Sequence, residues 1–394
     1  MTPTHVVHVD HSGRPGGGQL GLARYLEQPS DLRRSAVFLA GGPVADRVAD
    51  RADGADDGGA AVRAVLPPGG TDLGPGELRD HLERLRPDLV VCNSMRAAVA
   101  VHTSGFRSAP RVTYVRQHLT RDAVGPVKAV LYRAIMVRSD GFLANSRWTA
   151  DQLPRVAARR PVEIAFPVSG LTRGSVRPLR AVAPGGRGRP VRLAAVGRFQ
   201  EWKGQDIAIE AVRVLRERLD VDIELHLLGG PHPGSEAYLE RCHRLAAAAG
   251  VPVVFRGHVG DVAAELAEVD VVLHTPREPE PFGQVLVQAL AAGCQVVSTS
   301  GGGAAEILRV ARSGTALRAP DPEAVADAVA RLLAPGRPAG TAQAEPACAD
   351  LDAFLDDATA RGLDEAQERL LLALGRGMPR SRSRGLGRGV RRTS

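Results

Sequence analysis

Two short stretches of the sequence concentrate side chains that could hold an anion. One is REPEPFGQVLVQALAAG, Arg277–Gly293. Pro281 suits the start of a helix, where its missing N–H is not needed. The amides that follow, near Gly283, Gln284 and Val285, would be free at the helix N-terminus and could bind an anion with the help of the helix dipole. Glu280 stands just before that terminus and Gln288 lies eight residues later. Eight residues are about two helical turns, so Glu280 is expected near the mouth and Gln288 deeper on the same face. Taken alone, Glu280 reads equally as a capping acid. The other stretch is VGRFQEWKG, 196–204. A strand is expected to end at Gly197. Arg198 follows it and Lys203 opens the next helix, which puts two cations at the C-terminal edge of a sheet. A guanidinium donates bidentately and an ammonium acts as a compact charge, so the pair would suit a phosphate. Lys128 and Lys203 are the only lysines against 49 arginines, so a lysine in a motif deserves weight. Read alone, both cations could still be ordinary surface charges.

A third stretch, HSGRPGGGQ at 11–19, follows the first expected strand. A glycine-rich turn between strand and helix lets a ligand approach the backbone, but this is no G-x-G-x-x-G and dinucleotide binding does not follow from it. His8, Asp10 and His11 straddle a strand end, where alternate side chains face opposite ways, so a shared metal is not expected. The triplets Asp220–Asp222 and Asp350–Asp352 lie at a strand entry and at a linker–helix junction, and both read as surface features.

The elements that must position these residues form a repeating pattern. In the first half, apolar runs predict strands over 5–9, 35–39, 61–66, 88–92, 111–115, 141–144 and 162–165. Helices are expected from about 20 and over 76–86, 123–139 and 147–157, with a loop at 54–59. In the second half, strands are predicted over 192–196, 224–228, 253–255, 271–274 and 295–298, and helices over 203–218, 235–249, 262–267, 283–292 and 322–334. Non-alternating strands between helices argue for parallel α/β sheets. The Gly-, Pro- and Arg-rich stretch 168–190 separates the halves and 335–350 reads as a second linker. Residues 351–374 carry apolar side chains at helical spacing, which suggests helices packing back on the body. The expected domains are 1–168, a linker 169–190, 191–335, a linker with helices over 336–374, and a tail 375–394. A ligand would bind between the halves, outside the C-terminal ends of the strands.

Composition bounds the remaining classes. With 394 residues, 44% hydrophobic and 24% charged, the chain is an ordinary globular one of about two domains. The net charge of +7 equals the seven arginines of 375–394, which carry no acid, so the body is neutral and specific nucleic-acid binding is not expected. The tail would be solvated, or would tether the protein to anionic lipid or another polyanion. Cys92, Cys242, Cys294 and Cys348 show no zinc-like spacing and are expected as reduced thiols. The N-terminus has no signal-peptide apolar region and no run of about 20 apolar residues occurs, so a cytoplasmic location is expected, with peripheral contact at the inner membrane face as an extension.

The combination of motifs resembles the retaining glycosyltransferases of family four, which have the GT-B fold. Gly197-Arg198, Lys203-Gly204 and Glu280-Pro281-Phe282-Gly283, with the position eight residues after the glutamate at Gln288, match their signature. LHLLGG at 225–230, VVFRGHV at 253–259, STSGGGAAEIL at 298–308, RPDLVVCNS at 86–94, VRQHL at 115–119 and LANSRWTADQL at 143–153 fit the same family. The resemblance covers roughly 5–334. It implies two Rossmann-like parallel-sheet domains facing a central cleft, and transfer of a sugar from a nucleotide-sugar, UDP- or GDP-linked, to an acceptor hydroxyl with retention of anomeric configuration. It implies that Arg198 and Lys203 hold the donor diphosphate and that Glu280 faces the sugar hydroxyls. Phe282, Gly283, Gln284 and Val285 would lie at the donor, Gly16 and Gly17 would approach it from the first domain, and His118 would lie near the reaction centre, with Arg116 and Gln117 as neighbours that could also face the cleft. No cofactor or metal is implied. The acceptor is unassigned; a lipid-linked or polysaccharide acceptor fits the family.

One departure is visible. The family's second acid, which grips the ribose, is Gln288 here. An amide accepts with one atom and donates with the other, which still suits a diol, but the charge-assisted bonds are lost. An alternative reading follows from that loss: a degenerate, non-catalytic protein of the same fold that binds a nucleotide-sugar or glycan. An epimerase or phosphorylase of the same layout fits the Glu-x-Phe-Gly context less well.

Overall fold

The computed structural model describes residues 3–53, 63–65, 72–118, 125–155, 157, 159–171, 174–182, 188–232, 234–299, 301–334, 350–351, 353–355 and 357–375. The loop expected at 54–59, most of the linker 335–350, Cys348, Asp352 and all seven tail arginines lie outside these residues.

The first sheet contains β1 (His5–Asp10), β2 (Arg33–Phe38), β3 (Arg63–Val65), β4 (Leu89–Cys92), β5 (Arg111–Val115), β6 (Gly141–Ala144) and β7 (Val162–Ile164). Their order is β3-β2-β1-β4-β5-β6-β7 and every pairing is parallel. The connecting helices are α1 (Gly17–Glu27), α2 (Pro43–Asp53), α3 (Pro75–Leu85), α4 (Met95–Thr103), α5 (Pro126–Arg138) and α6 (Arg147–Asp151). The second sheet contains β8 (Val191–Val196), β9 (Ile223–Leu228), β10 (Val253–Gly257), β11 (Val271–His274), β12 (Gln295–Thr299) and β13 (Thr315–Leu317), in the order β10-β9-β8-β11-β12-β13, again all parallel. Its helices are α7 (Gln205–Arg218), α8 (Glu236–Ala248), α9 (Val262–Leu266), α10 (Gln284–Ala291), α11 (Gly303–Ala311) and α12 (Pro322–Leu333). The strands are apolar on both faces because helices cover both. All six residues of β1 and all four of β4, β6 and β11 are buried.

Several elements depart from expectation. Helices α2, α4 and α11 and strand β13 occur where none is predicted. The latter two follow glycines, Gly302 before α11 and Gly314 before β13, whose positive φ re-aims the chain without ending the alternation. The helix expected from 203 begins at Gln205, because Gly204 adopts φ 69° after a single 3₁₀ turn over Glu201–Lys203. The helix expected over 147–157 ends at Asp151. Part of the expected linker is a strap. Arg177 and Arg180 donate their amides to the carbonyls of Ala291 and Gly293, each at 2.8 Å, and the Arg180 guanidinium binds the carbonyls of Leu266, Ala267 and Val269.

The chain returns to its first half at the end. Residues Leu351, Phe354, Leu355 and Ala358 pack into the second domain's core, whereas α13 (Ala360–Ala373) packs Leu363, Ala366, Leu370 and Leu371 into the first. On that side Tyr25 donates its hydroxyl to Asp364 at 2.5 Å and Ser30 donates to the same carboxylate at 2.7 Å. The two crossings lie together: Phe166 from the first meets Phe354 from the second, ring centroids 4.6 Å apart, and the Ser169 amide donates to the Ala358 carbonyl. Helix α13 is therefore part of the first domain's core, although it is the last in sequence. Leu370→Ala removes a fully buried side chain there. Its unfolding free energy, measured by urea denaturation, is expected to fall by about 2–5 kcal/mol.

Candidate active site

In an open parallel sheet the crevice for a ligand opens where adjacent strands send their connections to opposite faces. Both sheets reverse in this way, between β1 and β4 and between β8 and β11. The stretches singled out by chemistry follow those strands. HSGRPGGGQ leaves β1, Gly197–Lys203 leaves β8, and Thr275–Gly283 leaves β11.

Lys203 and Glu280 form an ion pair, Nζ to Oε2, at 2.5 Å, both side chains mostly buried. The ammonium also lies 4.1 Å above the Trp202 ring centroid, which holds it in place by cation–π attraction. His274, at the end of β11, lies with Nε2 at 3.3 Å from the same Glu280 oxygen, while its Nδ1 lies 2.8 Å from the Ser298 hydroxyl at the end of β12. Burial alone would raise the Glu280 pKa, but the Lys203 charge and the His274 hydrogen bond outweigh it and hold the carboxyl well below its usual range. The Glu280 backbone is fixed as firmly: it forms a parallel bridge with Gly302, and its carbonyl accepts the Gly303 amide at 2.7 Å. A Cβ on Gly302 would overlap that carbonyl oxygen, so the approach demands glycine. Glu280 thus sits in a bridge to the loop after β12, and only Gln288 is on α10. This corrects the expectation of two residues sharing one helix face.

Arg198 is exposed, and its side chain has no partner among the described residues. Its loop is held from below by Gln205, which donates to the carbonyls of Gly197 and Arg198 at 3.3 and 3.1 Å. Helix α10 begins after Gly283, whose φ of 97° turns the chain into it; no side chain caps that end. The amides of Gly283, Gln284 and Val285 donate to no group among the described residues. The Gln284 side-chain nitrogen is buried without a partner, an unmet donor at the helix mouth. Gln288 is half-buried one turn further in. Phe282 corrects its expected role. Its ring is turned into the core, 5% exposed, between Phe166 and Phe354, so the residue anchors the turn and leaves only its backbone near the cleft.

The first domain supplies the opposite wall. Helix α1 starts at Gly17 with Gly16 as an N-cap that has no capping side chain, so its first amides also have no partner among the described residues. A Cβ placed on Gly17 would lie 3.7 Å from the Gln284 side-chain oxygen, so the N-termini of α1 and α10 approach each other across the cleft. His118 bonds through Nε2 to the Pro279 carbonyl, and its ring meets Trp148 edge-on at 5.1 Å. Arg116 does not enter the cleft. Its guanidinium binds the carbonyls of Gly18 and Asn93 and lies 3.5 Å from Asp10, bracing the glycine turn. Asp10 and His11 do meet, at 3.1 Å, but Asp10 also accepts from Gln19 at 2.8 Å. His8 faces the other way, toward Gln367 of α13, and burial pushes its pKa down to about 3.

Residues not singled out by their chemistry join the halves. Ser146 caps α6 and donates its hydroxyl to the Pro281 carbonyl at 2.7 Å. Glu306 of α11 accepts the amides of Arg147 and Trp148 at 3.1 and 2.5 Å, capping α6 from the other domain. Both lie inside stretches that carry the family likeness, LANSRWTADQL and STSGGGAAEIL. His274 ends an apolar strand, and nothing in its neighbours' types marks it.

Residues 190–335 match the family described as glycosyl transferases group 1. The chain is 32% identical over 216 residues to a D-inositol 3-phosphate glycosyltransferase of Streptomyces coelicolor, a match covering 49% of this chain and 47% of that one. It is 34% identical over 212 residues to the Streptomyces bingchenggensis protein of the same name, covering 51% and 46%. The chain thus spans about half the length of the curated relatives it matches. Among solved structures, HepE of Anabaena in complex with UDP-glucose superposes with a TM-score of 0.73 at 19% identity over 94% of this chain and 99% of that one. WaaG, a glycosyltransferase of lipopolysaccharide biosynthesis, gives 0.62 at 18% identity over 92% and 99%. The chain has the GT-B fold of the glycosyltransferases. Its second domain is a group 1 glycosyltransferase domain.

The depressed pKa of Glu280 fixes the sign of a pH effect. A carboxylate stabilised in the folded state contributes fully above its unfolded pKa and loses that contribution as the pH falls toward the folded value. The difference in Tm between the wild type and Glu280→Gln is therefore expected to stay level from neutral pH to about 4.5 and to narrow as the pH is lowered from there.

Proposed function

We propose that the protein transfers a hexosyl group from a nucleotide-sugar to an acceptor hydroxyl, with retention at the anomeric carbon. The observation that carries the reading is the convergence of an unpartnered Arg198, the Lys203–Glu280 pair and the bare N-termini of α10 and α1 on one cleft. In such a reaction negative charge grows on the leaving diphosphate as the glycosidic bond breaks. Arg198, Lys203 and the amides of Gly283–Val285 would meet that charge without reorganising, which is often the largest catalytic contribution. Glu280, kept ionised, would accept from the sugar hydroxyls. His118, on the opposite wall beside Pro279, would face the reacting carbon. Gln288 would pair with the ribose diol. The HepE complexes with UDP and UDP-glucose favour a uridine donor over a guanosine one. The acceptor would be lipid-linked or polysaccharide.

A thermal-shift panel of UDP, GDP, ADP and TDP tests the donor assignment. A ligand bound to the folded state alone raises Tm by mass action, so UDP is expected to give the largest rise, and no rise with any of the four refutes the reading. Lys203→Ala is expected to lower turnover of the UDP-sugar by about a hundred- to a thousandfold while the circular dichroism spectrum is retained; near-normal turnover refutes the role given to Lys203. Gln288→Glu is expected to hold or improve donor affinity, by about 1–2 kcal/mol at most. A collapse of affinity, read by titration calorimetry with UDP, would remove Gln288 from the ribose.

A further inference from the structure

We propose that α5 is a docking surface for an anionic lipid bilayer. Of the five large hydrophobic side chains exposed among the described residues, four, Val127 (81%), Val130 (72%), Leu131 and Val137, lie on this one helix; the fifth, Leu372, is on α13. At 100° per residue they fall, with Ala134, within an arc of about 120°. Met136 is buried on the opposite side and Ile135 on the flank beside Lys128, both against the domain core. The helix is apolar on two faces, and the domain uses only one.

Charge identifies what the other face fits. Arg133 lies about 40° beyond one edge of the apolar arc, Lys128 about 60° beyond the other, and Arg138 within it. All three are exposed. The helix has no acidic residue, and none of the three forms an ion pair among the described residues. An outward apolar stripe bordered by cations suits the headgroup boundary of a bilayer, where side chains such as valine enter the acyl region and Lys and Arg extend to anionic headgroups. A second copy of the chain fits poorly. A two-fold contact would oppose the same cations, and a helix about 20 Å long offers about 200 Å², well short of the roughly 800 Å² per partner of a stable interface.

The position of the helix gives docking a consequence. Gly125, its N-cap, is seven residues from His118, a span of at most about 25 Å. A bilayer under α5 would lie beside the acceptor wall of the cleft, in line with a lipid-linked acceptor. Docking itself does not depend on the transferase reading, and its test needs no turnover.

The test is co-sedimentation of the full-length chain with vesicles of phosphatidylcholine alone or of phosphatidylcholine mixed with phosphatidylglycerol. The wild type is expected to sediment with the mixed vesicles and much less with the neutral ones. The doubly substituted Val127→Glu, Val130→Glu chain is expected to lose about tenfold or more in partitioning with unchanged Tm, since both side chains are exposed. Replacing the seven tail arginines by serine while α5 is intact is expected to leave most of the binding. Three results overturn the proposal: no sedimentation of the wild type with mixed vesicles; equal sedimentation of the wild type and the double variant, which would place lipid contact elsewhere; or a concentration-dependent doubling of mass in solution that the double variant abolishes, which would make α5 a contact between copies.

Discussion

The constraint on which the site depends is the position of one carboxylate. Glu280 is held through its side chain by Lys203 and His274 and through its backbone by Gly302 and Gly303. Lys203 comes from the loop after β8, His274 from the end of β11, and Gly302 from the loop after β12. A buried charge is costly unless it is paired and hydrogen-bonded. Here the pairing is met only when three neighbouring strands end in register. The geometry of the sheet and the ionisation of the acid are therefore one condition. The arrangement also keeps Lys203 at the cleft with donor capacity to spare, because an ammonium has three N–H groups and the structure gives one of them to Glu280.

The two domains meet around that same turn. The Pro279 carbonyl receives His118, the Pro281 carbonyl receives Ser146, and the end of α6 is capped by Glu306. Each contact uses a backbone carbonyl or amide that a turn or a helix end leaves unmatched. The interface thus satisfies groups that would otherwise need water. Because Glu280 lies between Pro279 and Pro281, any change in the separation of the domains is felt at the acid. The chain crosses between the domains elsewhere, where Phe166 and Phe354 pack side by side.

Much of this is legible in the sequence, for identifiable reasons. Buried parallel strands such as His5–Asp10 and Val271–His274 are short apolar runs between helical stretches, so both sheets are readable. Arg198, Lys203, Glu280 and the glycines stand out because their residue types are conspicuous beside a strand end. The strap at 175–180 is not readable, because its order comes from backbone hydrogen bonds to Ala291 and Gly293 rather than from any periodicity. Phe282 misleads in the opposite way: Glu-x-Phe-Gly draws attention to a motif whose aromatic member serves the core. His274 and Glu306 are invisible to spacing arguments: His274 meets Glu280 only because the turn after β11 folds back on the strand end, and Glu306 acts on amides of the other domain. The outward stripe of α5 hides for another reason: a helix apolar on both faces shows no amphipathic contrast.

The electrostatics of the cleft bear on the glutamine at 288. With Glu280 neutralised by Lys203, Arg198 keeps its formal charge at the mouth, supplemented by two helix N-termini. A carboxylate at 288 would sit one turn inside α10, where it would favour the helix dipole but oppose the same diphosphate the dipole attracts. In the proposed donor complex the amide gives up charge-assisted bonds to the ribose and removes that opposition. Coulomb energies at an effective dielectric of about 20 are of the order of 1–2 kcal/mol at about 10 Å, similar in size to the bonds lost. The two effects have opposite signs and similar scale, so loss of the second acid is compatible with a working donor site, provided the cations remain where Glu280 and Gln205 hold them.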